Sequence, residues 1–152
     1  MIKDILDSKD EPAFAWARMR LDKCIAEMGG KGLIKTEKVE ARVVWMLPDR
    51  VLIGQVREKG STVGPKWVIA GERSSDFLES TAATSPRDAA RRFAMKWQLG
   101  AAQLESLLAK GGDGKTSGAD MRSACDKLSV EAEELYALTE LDELWNKATL
   151  PG

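Results

Sequence analysis

The sequence predicts an α+β fold in which a three-stranded antiparallel sheet packs against an N-terminal helix and two long C-terminal helices. Three observations predict this class. Apolar and polar residues alternate over Val39–Leu47, which is the period of β-strands, and two short apolar segments follow at Val51–Val56 and Lys66–Gly71. Before and after this stretch the apolar residues recur every three to four positions, which is the period of helices. The strand-like segments are joined by short connections, and these favour antiparallel pairing.

The first helix is predicted to begin at Asp10-Glu11-Pro12 and to end at the glycine-rich residues 29–32. A capping acid followed by an acid and a proline is typical of a first helical turn. Glycine accepts the left-handed conformation that follows the last turn. A short helical turn is also expected over residues 2–8. The apolar face of the first helix consists of Phe14, Ala17, Leu21, Ile25 and Met28.

Three strands are predicted after this helix, and the third, Lys66–Gly71, is the apolar run around which the chain is organised. The second strand covers Val51–Val56. The first is separated from it by a tight turn at Pro48-Asp49, in which proline sets the first central residue. The alternation in the first strand places one set of residues on a single apolar face: Val39, Ala41, Val43, Trp45 and Leu47.

Two further helices are predicted in the C-terminal half. Ser85-Pro86-Arg87-Asp88 starts the first of them, with serine as the cap and proline at the first position. A glycine-rich link at 111–114 ends it, and the last helix runs from about Gly118 to Lys147 with a possible bend near Thr139. All the helices are expected to pack mainly on one face of the sheet. The five tryptophans, one to an element, are expected to meet in one core.

Composition restricts the chemistry. The 152 residues are expected to form a single domain, 1–152, with a net charge of -1 and no histidine. The missing histidine removes the commonest general base and the usual zinc-binding patterns. No apolar run is long enough to cross a bilayer and the N-terminus is acidic, so a cytoplasmic protein without a membrane partner is expected. Cys24 and Cys125 are then expected to be free, buried thiols.

The motif Ala109–Thr116 fits a relaxed phosphate-binding loop, but a predicted helix rather than a strand enters it. We therefore interpret it as a link between helices and expect no nucleotide, no other cofactor and no metal. A second cluster, Arg87, Arg91, Arg92 and Lys96, lies on two flanks of its helix. The acidic tail 129–152 offers it partners, so mutual pairing is the simpler interpretation and nucleic-acid binding is not favoured.

The irregular segment after the third strand is the candidate ligand or partner site. Loops that follow strands often carry function because the sheet holds them rigidly. Glu72, Arg73 and Asp76 supply both signs of charge there, and Trp67 supplies an aromatic surface. An anion could bind to Arg87 at the N-terminus of the next helix. An ordinary solvated loop is the alternative, and no catalytic residue can be assigned.

The sequence also resembles a family of small bacterial proteins of about this length that are known as a domain of unknown function. The resemblance rests on Trp67-Val68-Ile69-x-Gly71-Glu72 and Asp76, and continues through Pro86-Arg87, Phe93 and Lys96-Trp97. The closing stretch is also similar through four positions: Leu135, Leu138, Asp142 and Leu144-Trp145. The resemblance implies a shared fold and a bacterial origin, and it implies no activity.

Two functions are compatible with these observations. The favoured one is a non-enzymatic protein-interaction or regulatory module, because no catalytic motif is evident and the helices carry apolar faces that could form a homodimer interface. An open face of the sheet would be the expected partner surface. The alternative is a binder of a small polar or anionic molecule, or a histidine-free enzyme, that uses the loop after the third strand.

Overall fold

The computed structural model describes residues 11–35, 38–112 and 114–148. The helical turn predicted over residues 2–8 and the predicted cap Asp10 lie outside these residues. A short 3-10 helix at Ser80–Ala82 precedes the second α-helix. In chain order the main elements are α1 (Glu11–Gly30), β1 (Val39–Leu47), β2 (Val51–Glu58), β3 (Lys66–Gly71), β4 (Asp76–Leu78), α2 (Pro86–Ala109), α3 (Gly118–Thr139) and α4 (Asp142–Ala148).

The strands form an antiparallel sheet in the order β1-β2-β3-β4. The α+β class and the antiparallel meander are confirmed, but the predicted number of three strands is wrong. The strand that was missed, β4, has only three residues and pairs with β3 through Trp67–Ile69. A strand this short shows no alternation in the sequence, because a period of two needs four or more residues to be seen. Thus β1 and β4 are the outer strands.

A β-bulge interrupts β1 between Val43 and Trp45. Val44 has no partner residue on β2, so the alternation of side chains changes phase at this point. As a result Val43 packs on the side of α1, whereas Val44 and Trp45 both pack on the side of α2. The prediction that Val43 and Trp45 share one face is therefore wrong. The extra residue of a bulge leaves no mark in the sequence pattern.

Helices cover both faces of the sheet, so the prediction that they pack mainly on one face is also wrong. The helix α1 packs on one face through Ala17, Leu21 and Cys24, against Leu52 and Val68 of the central strands. The opposite face carries Ile53 and Ile69 against α2, α3 and α4. The central strands are apolar on successive residues because each of their faces is buried.

The helices of the C-terminal layer begin at the capping residues that the sequence provides. Ser85 caps α2 by accepting a hydrogen bond from the backbone N–H of Asp88, and Pro86 is the first helical residue. Ser117 caps α3 through Asp120 in the same way. The bend predicted near Thr139 is a complete break, after which α4 starts at Asp142.

Tryptophan contacts fix α4 on the sheet. Trp145 stacks on Trp45 with ring centroids 4.0 Å apart. The Trp45 indole N–H donates to the Leu144 carbonyl at 3.1 Å, and that of Trp145 donates to the Leu138 carbonyl at 2.9 Å. Four of the five tryptophans belong to this core, and Trp16 packs instead against the core on the α1 side. Across the described ranges, no helix combines the length and the apolar character needed to span a bilayer.

Candidate functional site

The loop after β3, residues 72–75, is bonded to α3 through two carboxylates. The backbone N–H and the hydroxyl of Ser74 donate to the two carboxylate oxygens of Glu131, at 3.0 and 2.8 Å. Arg73 forms an ion pair with Glu134, which lies one turn further along the helix. The loop therefore has a fixed position relative to α3.

The same loop is also bonded to α1 and to the turn between β1 and β2. The hydroxyl of Ser75 donates to Glu27 of α1 at 2.7 Å, and the backbone N–H of Glu72 donates to the Arg50 carbonyl at 3.0 Å. Gly71 allows this approach, since a Cβ at its position would lie 2.3 Å from the Arg50 carbonyl oxygen. Its φ of 146° is also one that L side chains rarely adopt. The chain can therefore turn from β3 into the loop only with glycine here.

A cavity of about 310 Å³ lies between this loop, the β1–β2 turn and α3. We call it the loop cavity. It combines a mostly apolar lining with a few charged groups, which is the usual composition of a small-molecule site. The apolar side chains are Val51, Ile69, Trp97, Leu135, Ala137 and Leu138. The charged side chains are Arg50, Glu72, Arg73, Glu131 and Glu134.

Charges of both signs are available in the loop cavity. Glu131 is only 3% exposed, and its hydrogen bonds in the described part of the chain come from the neutral donors of Ser74. Each carboxylate oxygen has a second lone pair, so Glu131 retains acceptor capacity. Arg50 and Glu72 are exposed at the rim, and their side chains have no bonding partner among residues 11–35, 38–112 and 114–148. A guanidinium without a protein partner among the described residues and a buried carboxylate thus line one cavity.

The five residues predicted for the site do not come together. Glu72 and Arg73 line the loop cavity, whereas Trp67 is buried and donates its indole N–H to the Ser80 carbonyl at 3.3 Å. The carboxylate of Asp76 is held by structural partners, and Arg87, in the first turn of α2, is bonded to the C-terminal end of α3.

The partners of Asp76 and Arg87 belong to the helical layer. One oxygen of Asp76 accepts from Lys96 at 2.8 Å, and the other accepts from the indole of Trp97 at 2.9 Å. Arg87 donates to the carbonyl of Thr139 at 2.8 Å and to the carboxylate of Asp142 at 2.6 Å. Both side chains are therefore engaged in joining elements of the fold.

Three members of the basic cluster on α2 form ion pairs in the described part of the chain, but the predicted pairing with the acidic tail is observed for one of them. Besides the pairs of Arg87 and Lys96, Arg92 lies 3.6 Å from Asp88 one turn earlier. Only the pair of Arg87 reaches the acidic tail. Arg91 instead approaches the Thr139 carbonyl at 3.4 Å.

A domain of unknown function (DUF4826) matches residues 10–145, which is most of the chain. The chain belongs to the DUF4826 family. This membership confirms the resemblance to a family of unknown function. Neither a curated protein nor a solved structure matches the chain.

Both cysteines of this DUF4826 protein are buried and reduced. Burial, with a smaller effect of Glu27, raises the pKa of Cys24 from 9.0 to about 11. Burial also raises the pKa of Cys125, whose thiol lies 3.4 Å from the carboxylate of Glu105. Thiols with raised pKa values are protonated near neutral pH and make poor nucleophiles. The prediction of buried thiols is confirmed for both residues.

Three residues of the loop cavity escaped the sequence analysis: Arg50, Glu131 and Glu134. Arg50 follows the tight turn, where an arginine looks like any surface residue. Glu131 stands beside Ala132 at the border of the apolar face of α3, and an acid bordering such a face is the weak signal that could have indicated it. Their proximity depends on the β1–β2 turn meeting α3, which no local pattern encodes.

The glycine-rich motif 109–116 is a link between helices, as predicted. Helix α2 enters it and helix α3 leaves it. Gly111, Gly112 and Gly114 have positive φ angles of 95°, 90° and 75°, so the chain reverses through conformations that favour glycine. The strand that feeds a phosphate-binding loop is absent from this described part of the chain.

Proposed function

We propose that this DUF4826 protein is a non-enzymatic binding module that takes a small zwitterion with an apolar body, such as an apolar amino acid, into the loop cavity. The observation that carries this proposal is that a guanidinium without a protein partner in the described ranges and a buried carboxylate line the same, mostly apolar cavity. Arg50 would receive the carboxylate of the ligand, and Glu131 would receive its ammonium group.

The volume and the polarity of the cavity support a ligand of this kind. At about 310 Å³, the cavity lies at the lower end of the range for small-molecule sites. The indole of Trp97 and the side chains of Leu135 and Leu138 can cover an aliphatic or aromatic ligand side chain. A purely anionic ligand would leave the charge of Glu131 balanced by no ligand cation, and a purely cationic ligand would leave the guanidinium of Arg50 without a ligand carboxylate.

The non-enzymatic part of the proposal is supported by the state of the reactive groups. The pKa of each thiol is raised, so neither is an activated nucleophile. Asp76 is bonded to Lys96 and Trp97, which removes it from acid–base work at the predicted site.

Calorimetry with L-leucine and L-phenylalanine tests the proposal. The matched probes are isopentylamine, which lacks the carboxylate, and 4-methylpentanoate, which lacks the amine. We expect either amino acid to bind, and each single-charge probe to bind at least about tenfold more weakly because one charge-assisted bond is lost. Equal binding of all four probes, or of none, would refute the zwitterion assignment.

Two variants locate the site. Arg50→Met should weaken amino-acid binding at least about tenfold, whereas Arg92→Met, an exposed arginine on α2 outside the cavity, should leave it unchanged. An identical effect of the two substitutions would show that binding depends on net charge and occurs elsewhere.

A protein partner is the second candidate function, and one feature favours it. Met95 and Leu99 lie one turn apart on α2 and are 53% and 62% exposed. Such an apolar pair on the outer face of a helix is a common anchor for a partner. The open sheet face expected from the sequence is not available, because helices cover both faces.

A pull-down with paired variants tests this candidate. A partner of this surface should be lost with Met95→Ser and Leu99→Ser, and retained with Met19→Ser, which changes an exposed methionine on α1. Loss with all three variants, or with none, would exclude the α2 surface. The bacterial origin and the cytoplasmic location expected from the sequence also belong to the proposal, and fractionation of the source cells tests the location.

A further inference from the structure

Within the described residues, the first half of β1 is an outer edge of the sheet. Residues Glu40 to Arg42 are exposed, and in the described ranges β2 is the one strand that pairs with β1. The backbone N–H of Lys59 donates to the carbonyl of Lys38 at 2.7 Å, so the backbone groups of every second residue from Lys38 point toward β2. Those of Val39, Ala41 and Val43 therefore point outward.

Side chains on both sides of the sheet are exposed at residues 40–42 of this edge. Arg42 and Glu40 lie on the α2 side, because Arg42 pairs with Gln55 and Gln55 pairs with Trp67. A hollow of about 470 Å³ lies over these residues. Ala41 points to the α1 side, because it pairs with Val56 of the core on that side, and it is exposed. Another strand could therefore lie beside β1 without displacing a helix.

The charged side chains of this edge determine which register of pairing between two copies of β1 is favourable. In an antiparallel pair, like charges directly opposite each other are destabilising and opposite charges are stabilising. If two copies of β1 paired about a two-fold axis at Glu40, the two Glu40 carboxylates would be opposed. An axis at Arg42 would oppose the two guanidinium groups. An axis at Ala41 instead places Glu40 of each copy opposite Arg42 of the other.

We propose that two copies of this chain associate through antiparallel pairing of β1 about a two-fold axis at Ala41, which joins the two sheets into one. In this register Ala41 faces Ala41, and Val39 faces Val43 of the other copy. These are the outward-pointing residues, so each such pair can exchange two backbone hydrogen bonds. The bulge at Val44 ends the regular edge and confines the pairing to the five residues before it.

The monomer contacts of the charged residues are compatible with this arrangement. Glu40 pairs with Arg57 at 2.6 Å, and Arg42 donates to Gln55 at 2.6 Å. In the dimer, the order of side chains across the joined sheet on the α2 side would be arginine, glutamate, arginine and glutamine. Each charge thus keeps its partner within its own chain and gains one across the axis.

The interface is short and polar, so it belongs to the small, transient class of protein–protein contacts. It is independent of the loop cavity, which lies at the opposite end of β2 near Arg50 and Val51. This association would give a homodimer through a strand edge, not through the apolar helix faces on which the sequence-based expectation rested.

Charge reversal tests the register. Sedimentation of the full chain over a concentration series should show a monomer–dimer equilibrium. Glu40→Arg or Arg42→Glu alone should raise the dimer Kd at least about tenfold, because either change opposes two pairs of like charges. An equimolar mixture of these two single variants should form a heterodimer, and the double variant E40R/R42E should dimerise with itself.

Restoration in the mixture separates pairing from a fold defect, and circular dichroism of each variant provides the control. A protein that stays monomeric at all concentrations overturns the proposal. A dimer that the single reversals do not weaken, or that the mixture and the double variant do not restore, also overturns it.

Cysteine substitutions give an independent measurement. In the proposed register, the Cα atoms of the two Ala41 residues would be about 5.5 Å apart, within the range that a disulfide can span. Mild oxidation should therefore crosslink Ala41→Cys faster than Glu40→Cys or Arg42→Cys, and the native thiols are buried. Faster crosslinking at position 40 or 42 would refute the axis at Ala41.

Discussion

Replacement of Trp145 by alanine should remove much of the stability of the protein, although the residue lies near the end of the chain. The indole is 4% exposed, stacks on Trp45 at 4.0 Å and donates to the Leu138 carbonyl. Truncation of a buried tryptophan to alanine costs about 3–5 kcal/mol. The helix α4 has seven residues, and a helix this short is not stable without packing.

Loss of α4 would also affect Trp45. Its indole N–H donates to the Leu144 carbonyl, and an unpaired buried donor costs about 1–3 kcal/mol. Because water can reach Trp45 once α4 leaves, we add only the lower end of that range and expect a total of about 4–6 kcal/mol. This is a large fraction of the about 5–15 kcal/mol that stabilises a typical domain.

Urea unfolding followed by circular dichroism measures this loss. Trp145→Phe keeps a stacked ring but lacks the N–H, so it should cost about 1–2 kcal/mol. Leu141→Ala, at a 47% exposed position in the same turn, should cost less than about 1 kcal/mol. A cost below about 1.5 kcal/mol for Trp145→Ala would show that α4 contributes little to the stability of the protein. Equal costs for all three variants would show that the stacking and the hydrogen bond of the indole are not the cause of the loss.

Three further predictions concern the loop and the core. Gly71→Ala should destabilise the protein by more than about 2 kcal/mol in urea unfolding, because the new Cβ would meet the Arg50 carbonyl. The control Gly30→Ala adds its Cβ into open space and should be nearly neutral. Similar free-energy costs for the two variants would argue against the strained turn at Gly71. Asp76→Asn should cost about 1–2 kcal/mol through its bonds to Lys96 and Trp97, and the exposed Asp126→Asn should cost less than about 0.5 kcal/mol. The pKa of Cys24 is 9.0 in the unfolded chain and about 11 in the folded chain, so the unfolded state releases the thiol proton first as the pH rises. The stability that this thiol contributes is therefore complete below pH 9 and is lost as the pH rises through about 11. Cys24→Ala should reduce this alkaline loss of stability in urea unfolding, and an unchanged loss would refute the assignment.

The elements of the fold could be predicted from the sequence where their signals are local. Ser85 and Pro86 marked the start of α2, and Pro48-Asp49 marked the β1–β2 turn, in which Arg50 donates to the Leu47 carbonyl at 3.0 Å. Each of these signals acts within four residues. The amphipathic helices were predicted for the same reason, since a repeated spacing belongs to one element.

The arrangement of the layers depends on contacts between distant segments, and there the prediction failed. An apolar stripe shows that α1 packs on something, but it does not show which face of the sheet receives it. One signal was present and was not used. The run Trp67–Ala70 is apolar at every position, and a strand without alternation is typical of a sheet that is buried on both faces.

In the candidate site, too, the residues with a local signal could be predicted, and those brought together by contacts between distant segments could not. The loop after β3 was predicted to carry function, and Glu72 and Arg73 do line a cavity. Its other charged groups, Arg50 and Glu131, lie 81 positions apart in the sequence. Only the packing of the β1–β2 turn near α3 brings both to one cavity. Asp76 and Arg87 have the same residue types as ligand-binding groups, yet each joins two elements of the fold.

The buried carboxylate of Glu131 connects stability with the proposed binding. Removal of a carboxylate from water is costly, and the two hydrogen bonds from Ser74 offset only part of that cost. A ligand ammonium group would offset more of it, so the free protein carries a cost that binding relieves. Glu131→Gln keeps the volume and an acceptor for Ser74 but removes the charge.

We therefore expect Glu131→Gln to leave the ligand-free protein as stable as the original, or up to about 1 kcal/mol more stable, and to weaken amino-acid binding at least about tenfold. Glu131→Ala should destabilise the free protein, because Ser74 then loses its acceptors. Urea unfolding and calorimetry on the two variants measure both quantities. If Glu131→Gln lost stability as Glu131→Ala does, the charge would serve the fold, and a ligand would not be needed to explain why this helix buries a glutamate.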